Sequence, residues 1–174
     1  MIWFWVLIVI IMAFSFGAFF GAPYVPSQRR YVRRAFEKLY PLGKKDTLID
    51  IGSGDGMVLR IASSYGARAI GYEINPLLVF ISRLLSRRHK KVSVVTANFW
   101  RTKLPSETTV VYIFSVSRDS KRLAKFIQRE ANRLGRPLTL LCHGSPLKDR
   151  PVSRALDAYT LYVFRPLQPE QAQV

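Results

Sequence analysis

The stretch LIDIGSGDG, residues 48–56, constrains the fold more than any other part of the chain. An apolar run broken only by Asp50 meets three glycines, Gly52, Gly54 and Gly56, each one residue apart. The run reads as a short strand, TLIDIG (47–52). Val58, Ile61 and Ala62 behind the glycines mark one face of a helix running from Gly54 to about Ser64. A strand that turns through bare backbone into a helix opens a βαβ unit, whose next strand returns parallel to the first.

The alternation continues. ARAIGYEI (67–74), VSVVTANF (92–99), TTVVYIFSV (108–116), PLTLLCHG (137–144) and AYTLYVFR (158–165) read as strands. Asn75 caps and Pro76 opens a helix to about residue 88, with Arg87, Arg88, His89 and Lys90 at its C-terminal end, where the dipole favours cations. Ser117 caps a helix carrying Leu123, Phe126/Ile127, Glu130/Ala131 and Leu134, closed by Gly135. Upstream, Ser27 caps a helix with Tyr31/Val32, Ala35/Phe36 and Leu39, ended by Pro41 and Gly43. The pattern predicts an α/β fold: a doubly wound, mostly parallel sheet with helices on both faces. The strands are near-continuous apolar runs, as strands covered on both sides should be. No helix is expected in 145–157, so the last strand is expected as an antiparallel edge.

Residues 2–22, IWFWVLIVIIMAFSFGAFFGA, carry no charge. As a helix they would extend about 31 Å, the thickness of a bilayer core. Trp3, Trp5 and Tyr24 sit where interfacial aromatics anchor a span. A signal peptide cut after Phe20-Gly21-Ala22 is the alternative, but it would have a basic segment first, and none precedes this stretch. Arg29, Arg30, Arg33, Arg34 and Lys38 follow the span. That asymmetry predicts an N-terminus outside and a cytoplasmic domain, with the arginines able to lie against anionic headgroups. The expected organisation is an anchor (1–23), a linker helix (24–46), the main domain (47–167) and a tail (168–174).

A net charge of +16 suits an anionic partner, a membrane face or a nucleic acid. Cys142 has no second cysteine to pair with and sits in an apolar run, as a buried small side chain would. Two histidines and one cysteine give no metal-ligand pattern, and no metal is expected.

The glycine loop falls at the carboxyl end of the first strand, where such sheets bind ligands. Dinucleotides want G-x-G-x-x-G, but here the third glycine comes one residue early and Met57 follows. No Walker lysine is present. Asp50 and Asp55 would repel a diphosphate and attract an ammonium. Glu73 follows Gly54 by 19 residues, where a carboxylate receives two ribose hydroxyls. An ammonium and a ribose without a diphosphate describe S-adenosylmethionine.

These residues resemble the class I S-adenosylmethionine-dependent methyltransferases. DIGSGDG looks like their first motif, spanning Asp50, Gly52, Ser53, Gly54 and Asp55, and GYEIN like the second, with Glu73 and Ile74. TANFW (96–100) lies where the third offers an acid to adenine; Asn98 stands in its place, an uncharged and weaker acceptor. Ile74, Phe99 and Trp100 are either adenine's neighbours or core. With the apolar N-terminus, APYVPS (22–27), GYEINPLLV and NFW, the chain is similar over about residues 1–145 to the membrane-anchored protein-lysine methyltransferases that act on the adenine nucleotide translocase and the c-type rotor protein of ATP synthase. The resemblance implies a Rossmann-like methyltransferase sheet, a lysine ε-amino acceptor and a membrane-protein partner. SVSRDSKR (115–122) departs from that pattern, leaving the acceptor open.

Methyl transfer from a sulfonium needs positioning and desolvation above all. Tyr24, Pro26 and Ser27 are expected to line the acceptor channel, with Tyr24 orienting the amine. Ser115 and Ser117 are expected at the end of the fourth strand and His143 near the same rim. Three other functions compete. RNA or DNA methylation suits the charge, but Phe114-Ser115-Val116-Ser117 replaces the Asn/Asp-Pro-Pro-aromatic tetrad, and nucleic acid is the less expected partner. The others are lipid or quinone methylation, and an inactive cofactor-binding scaffold.

Overall fold

The computed structural model describes residues 3–5, 28–115 and 117–167. The expected span falls almost wholly outside them, as do Tyr24, Pro26, Ser27 and the tail. Among the described residues no helix is long and apolar enough to cross a membrane.

Helix α1 (Arg29–Arg34) continues as a wider π-helical turn (Ala35–Leu39). Then come β1 (Thr47–Ile51), α2 (Met57–Ser64), β2 (Arg68–Glu73), α3 (Pro76–Ser86) and β3 (Val92–Thr96). A 3-10 turn (Phe99–Arg101), β4 (Val110–Ser115), a second 3-10 turn (Ser117–Asp119), α4 (Ser120–Leu134) and β5 (Leu138–Gly144) follow. The hairpin β6 (Arg154–Leu156) and β7 (Tyr159–Phe164) closes the chain. The sheet order is β3-β2-β1-β4-β5-β7-β6, with β1 to β5 parallel and β7 antiparallel to both neighbours.

Alternation along the strands feeds two cores. Leu48 and Tyr112 face α1, α2 and α3 with Val32, Phe36, Leu59 and Val79. Ile49, Ile51 and Ile113 face α4 with Leu123, Phe126 and Ile127. Cys142 is buried in that second core, which pushes its thiol up to about 12.

Three local expectations are corrected. The strand predicted to be an edge is flanked by β6. That hairpin turns through Asp157 at φ 54, without the glycine that marks such turns in sequence. Arg154 fixes it by donating to the Leu39 and Lys38 carbonyls at 3.0 and 2.9 Å. Second, Ser117 belongs to a 3-10 turn and α4 begins at Ser120, whose buried hydroxyl accepts from the Lys148 N–H at 2.7 Å. Third, the strand predicted to reach residue 99 ends at Thr96. No long helix joins β3 to β4; Phe99 and Trp100 cover that face instead.

Candidate active site

The strand order reverses between β1 and β4, opening a crevice at their carboxyl ends. The glycine loop leaves β1 there. The Gly52 and Ser53 N–H groups both donate to the Tyr72 carbonyl, at 2.8 and 3.2 Å, tying the loop to the end of β2.

Two of the glycines serve different ends. Gly52 has φ 73, and a Cβ built there would meet nothing within 4 Å. Its backbone is left open. Gly56 has φ 76, and its Cβ would lie 2.1 Å from Ser82 Oγ. It admits α3 against the start of α2. A glycine that packs helix on helix explains why the third one departs from dinucleotide spacing.

Three of the chain's eleven acids converge at the loop. Asp50 is buried in β1 between Gly71 and Tyr112. Desolvation, then the charges of Glu73 and Asp55, hold its carboxyl well above the usual carboxylate range. Glu73 is also buried, and its two oxygens accept from the Gly54 and Asn75 N–H groups, each at 2.9 Å. A carboxylate has about four lone-pair directions, so two stay open to ligand hydroxyls. Asp55 departs from expectation. Its Oδ1 accepts from the Met57 N–H at 3.1 Å and its Oδ2 pairs with Arg60 at 3.0 Å. It braces α2 and acts on Asp50 only at a distance.

Among the buried hydroxyls that lack partners within the described residues, Ser53 Oγ and Ser115 Oγ lie just past β1 and at the end of β4. Ile51 pairs with Ile113, so Ser53 and Ser115 each lie two residues past a shared register point. Ser53 rests on Gly71, where a Cβ would come within 2.4 Å of its oxygen. Ser115 pairs with Gly144, beside His143. The His143 ring stacks on Tyr159 at 4.6 Å and meets Phe114 edge-on at 5.3 Å. Burial lowers its pKa below the ordinary histidine value, favouring neutral imidazole. Sequence reading placed His143 at the rim and missed Tyr159, which only the antiparallel β7 brings there.

Asn98 follows the end of β3, next to Glu73 in register through Thr96. Its Oδ1 accepts from the Trp100 N–H at 3.1 Å, capping the 3-10 turn. Phe99 and Trp100 lie 4.2 Å apart, both edge-on to Phe126, with the Arg122 guanidinium over Trp100. Those two rings are packed on α4; Ile74 is exposed. A basic cleft of about 270 Å³, lined by Ser117, Arg118, Lys121 and Lys148, flanks the ends of β4 and β5. A larger one of about 400 Å³, with Lys44, Lys45, Lys90 and Lys91, lies at the opposite ends of the strands and is not part of this site.

Residues 50–139 match the model of the ANTKMT methyltransferase domain, a segment that holds the whole acid-and-glycine cluster. The chain belongs to this family. The human lysine N-methyltransferase of the ATP synthase c protein is 32% identical over 111 residues, covering 62% of this chain and 46% of that one. The mouse adenine nucleotide translocase lysine N-methyltransferase is 41% identical over 63 residues, covering 36% and 27%. This family member thus spans about half the length of the first of those relatives, or less. A solved RNA methyltransferase from Salinibacter ruber, in complex with S-adenosyl-L-homocysteine, superposes with TM-score 0.72 at 26% identity, covering 84% and 97%.

Proposed function

We propose that the protein transfers a methyl group from S-adenosylmethionine to a lysine ε-amino group of a membrane-associated protein. The observation that carries this reading is the pairing of buried Asp50 and Glu73 around the open backbone of Gly52. The residues present fit the cofactor. Asp50 suits its ammonium, Glu73 has free lone pairs for two ribose hydroxyls, and the orphaned Ser53 and Ser115 hydroxyls line the same crevice. Asn98 keeps one carbonyl lone pair for the adenine amino group beside its capping bond. Ile74 and Phe99 complete the proposed cofactor set.

When bound, S-adenosylmethionine supplies an electrophilic methyl group and a neutral thioether leaving group. The chain's task is to hold the acceptor in line and strip it of water. Ser115 is assigned to the acceptor side, with Tyr24, Pro26 and Ser27 on the segment that enters the domain. An apolar channel there would favour the neutral amine. Residues 2–22 are assigned as a membrane span with the N-terminus outside and the domain cytoplasmic. The relatives' substrates, an ATP synthase component and a nucleotide translocase, support a membrane-protein acceptor.

RNA is the second reading. The Salinibacter relative, the +16 charge and the basic cleft beside β4 favour it. One experiment separates the two. Full-length protein and Glu73→Ala are incubated with radiolabelled S-adenosylmethionine, host membranes and host RNA. The expected result is label in membrane protein, recovered as methyl-lysine and lost with Glu73→Ala. Label confined to RNA would decide for the second reading.

A further inference from the structure

Helix α3 is turned inside out. Its buried side carries Ser82 (0% exposed), Ser86 (6%) and Val79 (2%), and both serine hydroxyls lack partners among the described residues. Its outer side carries Leu77, Phe80, Leu84 and Leu85, exposed by 42, 64, 51 and 50%. Leu77, Phe80 and Leu84 follow the spacing of one helical face. Small residues inside let α3 approach Gly56 closely, but nothing in the domain requires large apolar ones outside. Soluble surfaces rarely leave such a stripe uncovered.

The surroundings say what covers it. Arg87, Arg88 and Lys90 stand exposed just past the helix, and no Asp or Glu occurs between Glu73 and Glu107. An apolar stripe bordered by cations is the composition of a helix lying in a membrane interface. A second copy would bring like charges together on a chain of net charge +16. A nucleic acid would use the cations and leave the leucines in water. We propose that α3 docks the domain onto an anionic lipid bilayer, with Leu77, Phe80, Leu84 and Leu85 among the acyl chains and Arg87, Arg88 and Lys90 at the headgroups. Because α3 starts directly after Glu73 and Ile74, docking holds the crevice near the membrane surface. The contact is separate from the N-terminal span and does not depend on methyl transfer.

The test uses the full chain with a polarity-sensitive fluorophore on Leu84→Cys, and on Lys125→Cys, an exposed position on α4, as control. Cys142 is buried and stays unlabelled. On vesicles of phosphatidylcholine and phosphatidylserine, acyl-brominated lipid is expected to quench position 84 several-fold more than position 125. Phe80→Asp or Arg87→Glu with Arg88→Glu should reduce that quenching. A probe at 84 that is unquenched and open to iodide would overturn the proposal. So would one shielded from iodide yet unquenched, since protein would then be covering the stripe. Equal quenching on phosphatidylcholine alone would overturn the anionic assignment.

Discussion

Asp50 is a buried acid with two other acids near it, a cost that the proposed cofactor role would account for. Its folded pKa is raised, so the native state holds the proton more tightly than the unfolded chain does. Stability is therefore greatest below the unfolded value of 3.8 and falls as pH climbs toward the raised native value. Asp50→Asn should raise the melting temperature at neutral pH, the gain vanishing in acid. The same variant should weaken S-adenosylmethionine at least tenfold, as expected for losing a bond to a charged group worth ~1.5–3 kcal/mol. In the native protein, calorimetry in buffers of different ionisation heat should record proton release on cofactor binding. Equal proton exchange in both proteins would place the ammonium elsewhere. The glycines make a second pair of predictions. Gly52→Ala should cost only the strain of a left-handed residue, ~1–2 kcal/mol, because nothing crowds it. Cofactor affinity should fall by much more, since the new methyl would cover the open backbone assigned to the cofactor. Gly56→Ala adds a collision with Ser82 to the same strain, so chemical denaturation should show the larger loss.

At the scale of elements, the β3–β4 connection shows how the second face is sealed without a helix. Glu130 of α4, buried, accepts from the Leu104 N–H at 2.9 Å and from Arg133 at 2.6 Å. Arg133 in turn donates to the Leu104 carbonyl. This knot pins the 97–109 connection to α4 beside the Phe99, Trp100 and Phe126 cluster. Glu130→Ala should cost about 3 kcal/mol in urea unfolding, at the low end for breaking a buried pair because Arg133 remains part-exposed. Glu130→Gln should recover part of it by keeping an acceptor for Leu104. If both variants unfold alike, the Leu104 bond contributes nothing. The sequence showed Glu130 only as a residue on the apolar face of a helix; its partner lies 26 residues away, beyond the reach of any local pattern.

At the scale of the whole molecule, 27 cations face 11 acids, and three of those acids are gathered at one crevice. Self-repulsion among the rest should make stability depend on salt. Raising sodium chloride from low to moderate concentration should raise the melting temperature, most of the rise coming as the Debye length falls toward ~10 Å near 0.1 M. A flat salt profile would mean the cations are already spaced or paired well enough. Cations border both ends of the sheet, Lys121 and Lys148 beside the crevice and Lys44, Lys45, Lys90 and Lys91 at the opposite end, while Asp50 and Glu73 are buried at the crevice itself.

Much was legible in the chain itself. Near-continuous apolar runs marked the five parallel strands and period-3.6 spacing the helices, because both are local properties of a few consecutive side chains. The glycine loop, Asp50 and Glu73 were readable because one βαβ unit carries all three. Four features needed the folded molecule. Asp55 turned to Arg60, Gly56 proved to be a packing contact, β7 gained β6 as an outer neighbour, and α3 exposed its leucines while burying its serines. Each depends on which distant surface a side chain meets. A hydrophobic pattern reports how many faces a helix has, and only the tertiary arrangement decides which of them meets the core.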